Sequence, residues 1–322
     1  LPDPTPPRNL LLPGIAVLVL GLMALVFPPL ALVAGILSPV PLIFVYLQVG
    51  KGAGLAVVAV IFGVLLAVMG PMQAILFLAE YAVLAVIMAE TLRLGFSFDR
   101  CVGFSASGST LLSIFLLLVS FSGSEEPLSV FFKKHFEANI QQSLDSLKTM
   151  GESAADLAEM KRFADKASET FAVSFPAIIA IGSLITAAIN FFLVRFLMVR
   201  FHGPSISPPE KFSEWILPEQ MVWPLLLSGA AVVLTEGMLD VLGLNVLLVL
   251  LVIYFFQGWA IIARFFEIKN VPGILWALAL LLILVQPILI GLVIGLGVFD
   301  IWIDFRKLKP RPSTGPDDED QI

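Results

Sequence analysis

Apolar residues run along this chain in blocks of about twenty, broken by charges, prolines and glycines rather than by alternating polar positions. A helix crossing roughly 30 Å of hydrocarbon at about 1.5 Å per residue needs about 20 apolar residues. The runs at 10–27, 29–48, 53–70, 71–92, 102–122, 172–199, 221–241, 244–265 and 272–304 approach or exceed that length. The last is too long for one ordinary span and carries Gln286 and Pro287 at its centre. Pro287 removes a backbone donor there, which predicts two short helices or one strongly kinked helix. The pattern therefore predicts an all-α fold, a polytopic transmembrane helical bundle of eight to ten spans. A membrane β-barrel would instead show short segments of alternating polarity.

Between 123 and 170 the periodicity changes. Leu128, Phe132, Phe136, Ile140, Leu144 and Leu147 recur every three or four residues with Lys133, Lys134, Glu137 and Asp145 between them, one apolar stripe on a helix. Gly151 interrupts it, and Leu157, Met160, Phe163 and Ala167 mark a second helix returning toward the membrane. The expected organisation is 1–122, N-terminal transmembrane helices; 123–170, an extracytoplasmic amphipathic hairpin; 171–308, C-terminal transmembrane helices; and 309–322, an acidic cytoplasmic tail. That tail, with Asp317, Asp318, Glu319 and Asp320, has little apolar surface to bury and is expected to be disordered.

Composition agrees with the spans. Hydrophobic residues make up 58% and charged residues 14%, against about 25% charged in soluble domains. The lipid bilayer is thus the first partner. The net charge of -6 speaks against nucleic acid, and the single cysteine, Cys101, excludes an internal disulfide or a thiolate metal cluster. The insert at 123–170 holds nine acids against six bases, which suits an outer location. The remaining basic residues, among them Lys51, Arg93, Arg100, Arg195, Arg264, Lys269 and Arg306, fall at alternate connections if the N-terminus is cytoplasmic. Both termini are cytoplasmic if 272–304 crosses twice. The run after Arg8 reads as a permanent span rather than a cleaved signal, and Leu1 in place of Met points to an alternative start or a trimmed chain.

An ionisable group inside a span costs roughly 2.5–3.5 kcal/mol on insertion scales, so each one asks for a reason. Glu80, near the middle of 71–92, is the clearest: a buried carboxyl binding a solute or a proton, or a packing residue bonded to another helix. Asn190, Gln257 and Gln286 are amides within spans, suited to helix–helix bonds or to lining a cavity with Glu80. Glu90 lies three residues from Arg93, an ordinary helical pair, and Glu236 and Asp240 are four apart on one expected helix face near an outer end. Gly50, Gly52 and Gly54 around Lys51 form a tight turn rather than a phosphate loop, since the P-loop consensus is absent. Gly291 and Gly295 have GxxxG spacing, and Gly103, Ser105, Ser107 and Ser109 make a small-residue face. His135 and His202 lie outside the spans, so neither a zinc-hydrolase motif nor an intramembrane serine dyad is present, and no enzyme, cofactor or metal site is expected. Asp300 and Asp304 precede the final basic cluster, facing water or pairing with Arg306 or Lys307.

The order of features carries a resemblance. Pro28-Pro29, then Ser38-Pro39-Val40-Pro41-Leu42, then Gly50 beside a base; a long insert; Pro176, Asn190, Arg195 and Arg200; Trp215-Ile216-Leu217-Pro218; and Phe299-Asp300-Ile301-Trp302-Ile303-Asp304-Phe305-Arg306 follow one another along nearly the whole chain. This succession resembles the YybS-like family of bacterial membrane proteins, which implies a multi-pass protein of the bacterial cytoplasmic membrane. That family is similar in helical layout to the substrate-binding S components of energy-coupling-factor vitamin transporters, which implies an intramembrane pocket for a small solute. The insert and three or four extra C-terminal crossings depart from the six-helix S-component plan, and active uptake would need a partner ATPase. The leading expectation is a membrane protein that binds or transports a small solute, with Glu80, Asn190 and Gln257 as substrate-binding groups. The alternative is a membrane scaffold or assembly protein that docks a protein partner on the hairpin at 123–170.

Overall fold

The structure is a computed structural model and describes residues 28–123, 127–149, 153–202 and 211–307. The expected first span at 10–27 and the acidic tail lie outside the described residues. Among the described residues the regular elements are helices: α1 Pro28–Leu37, α2 Pro39–Val49, α3 Lys51–Val68, α4 Pro71–Arg93, α5 Phe98–Phe121, α6 Leu128–Thr149, α7 Ala154–His202, α8 Val222–Leu234, α9 Met238–Ile268, α10 Gly273–Val285 and α11 Pro287–Ile303. Proline opens α1, α2, α4 and α11, where its missing N–H costs nothing and its fixed φ suits the first turn.

Five helices, α3, α4, α5, α7 and α9, are long and apolar enough to cross a membrane, and α10 with α11 makes a sixth if that bent pair is one span. The apolar runs outnumber these spans for local reasons. The run at 29–48 divides into α1 and α2 at Ser38, and its apolar part, Val33–Val49, is shorter than a span. The run at 221–241 stops at Leu234, because Gly237 adopts φ 76°, a left-handed conformation that α9 starts from. The gap between the runs at 221–241 and 244–265 is instead helix, and the break at 235–237 contains Glu236. Glu236 and Asp240 therefore do not share a helix.

The chain forms two compact units, 1–209 with 227–249 and 210–226 with 250–322. In the first, α5 packs along α4 and α7, and α2 packs on α3, α4 and α7. Small residues allow the close approach: Ala82, Ala85 and Ala89 of α4 and Ala187 and Ala188 of α7 are buried. Phe98 fills the remaining space between Phe191 and Phe192, with its ring 5.3 Å from each. The α2–α3 turn uses Gly50 at φ 115°, and Gly54 leaves room for the Tyr46 ring.

Helix α7 runs for 49 residues without a break at 170, about 74 Å at the usual rise and more than twice the hydrocarbon thickness. Its first half pairs with α6 to form an arm. The stripe expected on α6 is consumed there: Phe132 stacks on Phe175 and Phe136 on Phe171, with centroids 4.7 and 4.4 Å apart. Farther out the two helices part around an apolar groove of about 530 Å³, bordered by Ile140, Leu144, Met160 and Phe163.

In the second unit α9 and α11 cross with their backbones in contact. A Cβ on Gly258 would come within 1.9 Å of the Val293 carbonyl oxygen, and one on Gly297 within 2.1 Å of that of Tyr254. The GxxxG glycines take no part, since Gly291 and Gly295 face open space. Helices α10 and α11 meet at Gln286–Pro287 with a bend of 107°.

Candidate functional site

Glu80 sits in a local irregularity. Residues Leu78–Ala82 form a π turn inside α4, and the Val83 N–H bonds back five residues to the Leu78 carbonyl. Such a turn carries one residue too many for the α ladder and leaves a carbonyl short of its donor. Ser109 of α5 supplies it, its hydroxyl donating to the carbonyls of Ala79 (2.8 Å) and Glu80 (3.1 Å). Ser109 belongs to a stripe with Ser105 and Ser113, all buried, whereas Gly103 faces open space and Ser107 is exposed. The side chains of Glu80 and Tyr81 are half-buried and interact with each other, and the Tyr81 hydroxyl reaches α1 where Gly35 leaves room for it. Glu90, at the end of α4, accepts from the Tyr46 hydroxyl and lies 3.0 Å from Lys51 and 3.9 Å from Arg93. The expected pair with Arg93 is present, and Lys51 is the nearer cation.

Asn190 is fully buried and donates to the Ile36 and Thr186 carbonyls, both at 2.7 Å, tying α7 to α1. Asn245 makes a different kind of tie. Pro176 lies inside α7 and interrupts its ladder. The Asn245 amide, from α9, enters at that point: its Oδ1 accepts from the Ala177 N–H at 2.9 Å and its Nδ2 donates to the Val173 carbonyl at 2.9 Å. Those two backbone groups are the pair that an unbroken α-helix would join directly. The second Nδ2 hydrogen goes to the Val241 carbonyl at 2.8 Å, so no amide donor is left over.

The second unit holds a buried charge cluster. Gln257 accepts from the Leu217 N–H (3.1 Å) and donates to Asp300 Oδ2 (2.8 Å). Arg306 donates to the same Oδ2 at 2.7 Å and to the carbonyls of Ser213 and Trp215, while the Phe305 N–H caps Asp300 Oδ1. The side chains of Arg306 and Asp300 are 1% and 3% exposed. Beside them, Ser213 donates to Glu267 and Arg264 pairs with Glu214 at 3.2 Å. The ends of α9 and α11 therefore grip one loop, 213–217, and α10 and α11 go out from it and come back to it.

The tip of that excursion is the opposite case. Val285, Gln286, Pro287 and Ile288 are exposed, and Gln286 leaves the helical region with φ -106° and ψ 105°. Pro287 has no N–H for the Ile283 carbonyl. The Leu289 and Ile290 N–H groups both turn to the Gln286 carbonyl.

A family model described as a predicted membrane protein (DUF2232) matches residues 15–301. The chain belongs to that family. No curated protein and no solved structure matches it. In this DUF2232 member two short motifs far apart in sequence, Trp215–Pro218 and Phe299–Arg306, meet in one cluster, with Gln257 between them. Glu80 and Asn190 fall in the first unit and share no hydrogen-bond partner among the described residues; Gln257 falls in the second. Asn245 carried no signal in the sequence beyond an amide two residues after Gly243 in an apolar run. Asp300, expected to face water or to pair with Arg306 or Lys307, pairs with Arg306, and both are buried. Among the described residues no cluster of His, Cys, Asp and Glu has the makings of a metal site.

Proposed function

We propose that this membrane protein binds and passes a small solute, and that the α10–α11 hairpin is the element that meets it. The observation that carries the reading is the 107° break at Gln286–Pro287 between two apolar helices that follow the end of α9, held at loop 213–217, and return to that loop at Arg306. Arms of 13 and 17 residues reach about 20 and 26 Å, less than the ~30 Å of the bilayer core, so the hairpin is re-entrant and its tip lies at membrane depth. Open backbone at that depth is tolerated where it is covered by protein or lines a water-filled cavity, and broken helices of this kind form solute sites near the midplane of transporters. The resemblance to the S components argues in the same direction. Gln286 is the polar side chain at the tip of the hairpin, and Gln257 lies in the same unit. The cytoplasmic side of a bacterial inner membrane holds both termini in this reading.

The test is aqueous access. In a Cys101→Ala background, Gln286→Cys reacts with a small membrane-impermeant thiol reagent in intact vesicles, whereas Leu278→Cys on the exposed flank of α10 does not. A tip as unreactive as Leu278→Cys ends the proposal.

A second reading has its own support. Phe163 and Met160 border the groove on the arm and are 78% and 45% exposed, and α7 places them roughly 20 Å beyond the hydrocarbon edge if that edge lies near Phe175. A docking role for the arm as part of a membrane scaffold follows from that surface.

A further inference from the structure

We propose that Pro176 and Asn245 form a hinge and its lock, by which α9 sets the angle between the arm and the membrane-spanning half of α7. Proline inside a helix removes one ladder bond and crowds the preceding turn, which ordinarily leaves a flexible kink with open carbonyls. Open backbone groups are costly where water is scarce, and a neighbouring side chain commonly satisfies them. Here the side chain does more than occupy one group. The amide of Asn245 spans the break, holding the Val173 carbonyl on the arm side and the Ala177 N–H on the span side at equal 2.9 Å distances. It is itself fixed by its third bond, to the Val241 carbonyl. The Ser174 hydroxyl turns back to the Thr170 carbonyl on the same turn, and the neighbouring aromatic stack of Phe175 on Phe132 transmits the orientation of α7 to α6. An amide in this position defines the kink as long as it stays, and frees it when it leaves. The hinge does not depend on whether the α10–α11 tip meets solute.

The experiment measures the arm angle in the full chain in lipid nanodiscs. Spin labels at Lys161→Cys on the arm and Leu111→Cys on α5, both exposed positions, report one distance in a Cys101→Ala background. The expected result is a single narrow distribution that at least doubles in width in Asn245→Ala and narrows again when Pro176→Ala is added, because an unbroken ladder needs no lock. Asn245→Ser, which keeps one polar group and is milder for folding, gives an intermediate width. An unchanged distribution in Asn245→Ala and Asn245→Ser overturns the proposal. So does equal broadening with and without Pro176, which would mark Asn245 as ordinary packing.

Discussion

Two prolines interrupt two apolar helical stretches in this protein, and the outcomes differ. At Pro176 the helix continues, and Asn245 bridges the turn there by holding the Val173 carbonyl and the Ala177 N–H. At Pro287 no side chain enters the break among the described bonds, and the chain turns through 107°. Proline alone therefore does not decide between a kink and a reversal. The decision rests on whether a polar group from a neighbouring helix is at hand, and on what holds the far ends.

At Pro287 the far end is held by Asp300 and Arg306, and the largest expected effect is there. Asp300→Ala leaves a buried guanidinium without its counter-charge and is expected to lower stability by about 3–5 kcal/mol, read by thermal unfolding in detergent. A loss under about 1 kcal/mol would mean that water reaches Arg306 freely. Next comes the α9–α11 crossing. Gly297→Ala forces a methyl against the Tyr254 carbonyl and is expected to cost about 1–3 kcal/mol, while Gly291→Ala, in open space, is neutral or gains up to about 1 kcal/mol in helix propensity. Equal effects would remove the crossing as the point that fixes α11. The smallest effect is expected for Pro287→Ala itself. With the end of α9 and the end of α11 both held at loop 213–217, restoring one donor shifts stability by less than about 1 kcal/mol and leaves a reporter fused after residue 307 on the same side of the membrane. A reporter that changes side would show that proline, rather than the anchored ends, makes the turn.

The two breaks also mark what a sequence makes legible. Gln286–Pro287 was readable because an apolar run longer than a bilayer requires an interruption, and these two residues sit at its centre. The pairing of α6 with α7 was readable from the spacing of Phe132 and Phe136. Asn245 was not, because its meaning depends on Val173 and Ala177, about seventy residues earlier, and a lone amide in a span has no periodicity. Gly258 and Gly297 escaped for the same reason: close contact is a property of two helices, and GxxxG at Gly291 and Gly295 describes one. For Asp300, proximity left open whether it faces water or pairs with Arg306 or Lys307, because its burial with Arg306 comes from Gln257 and a loop nearly a hundred residues upstream.

The length of α7 has a mechanical consequence. From Ala154 to Pro176 the helix extends for 22 residues beyond the break, about 33 Å. It is a lever whose fulcrum is one asparagine amide. A rotation of about 10° at Pro176, well within what a kinked helix adopts, carries its far end about 6 Å sideways. An ångström-scale shift of α9 against that fulcrum would be magnified at the Met160 and Phe163 surface.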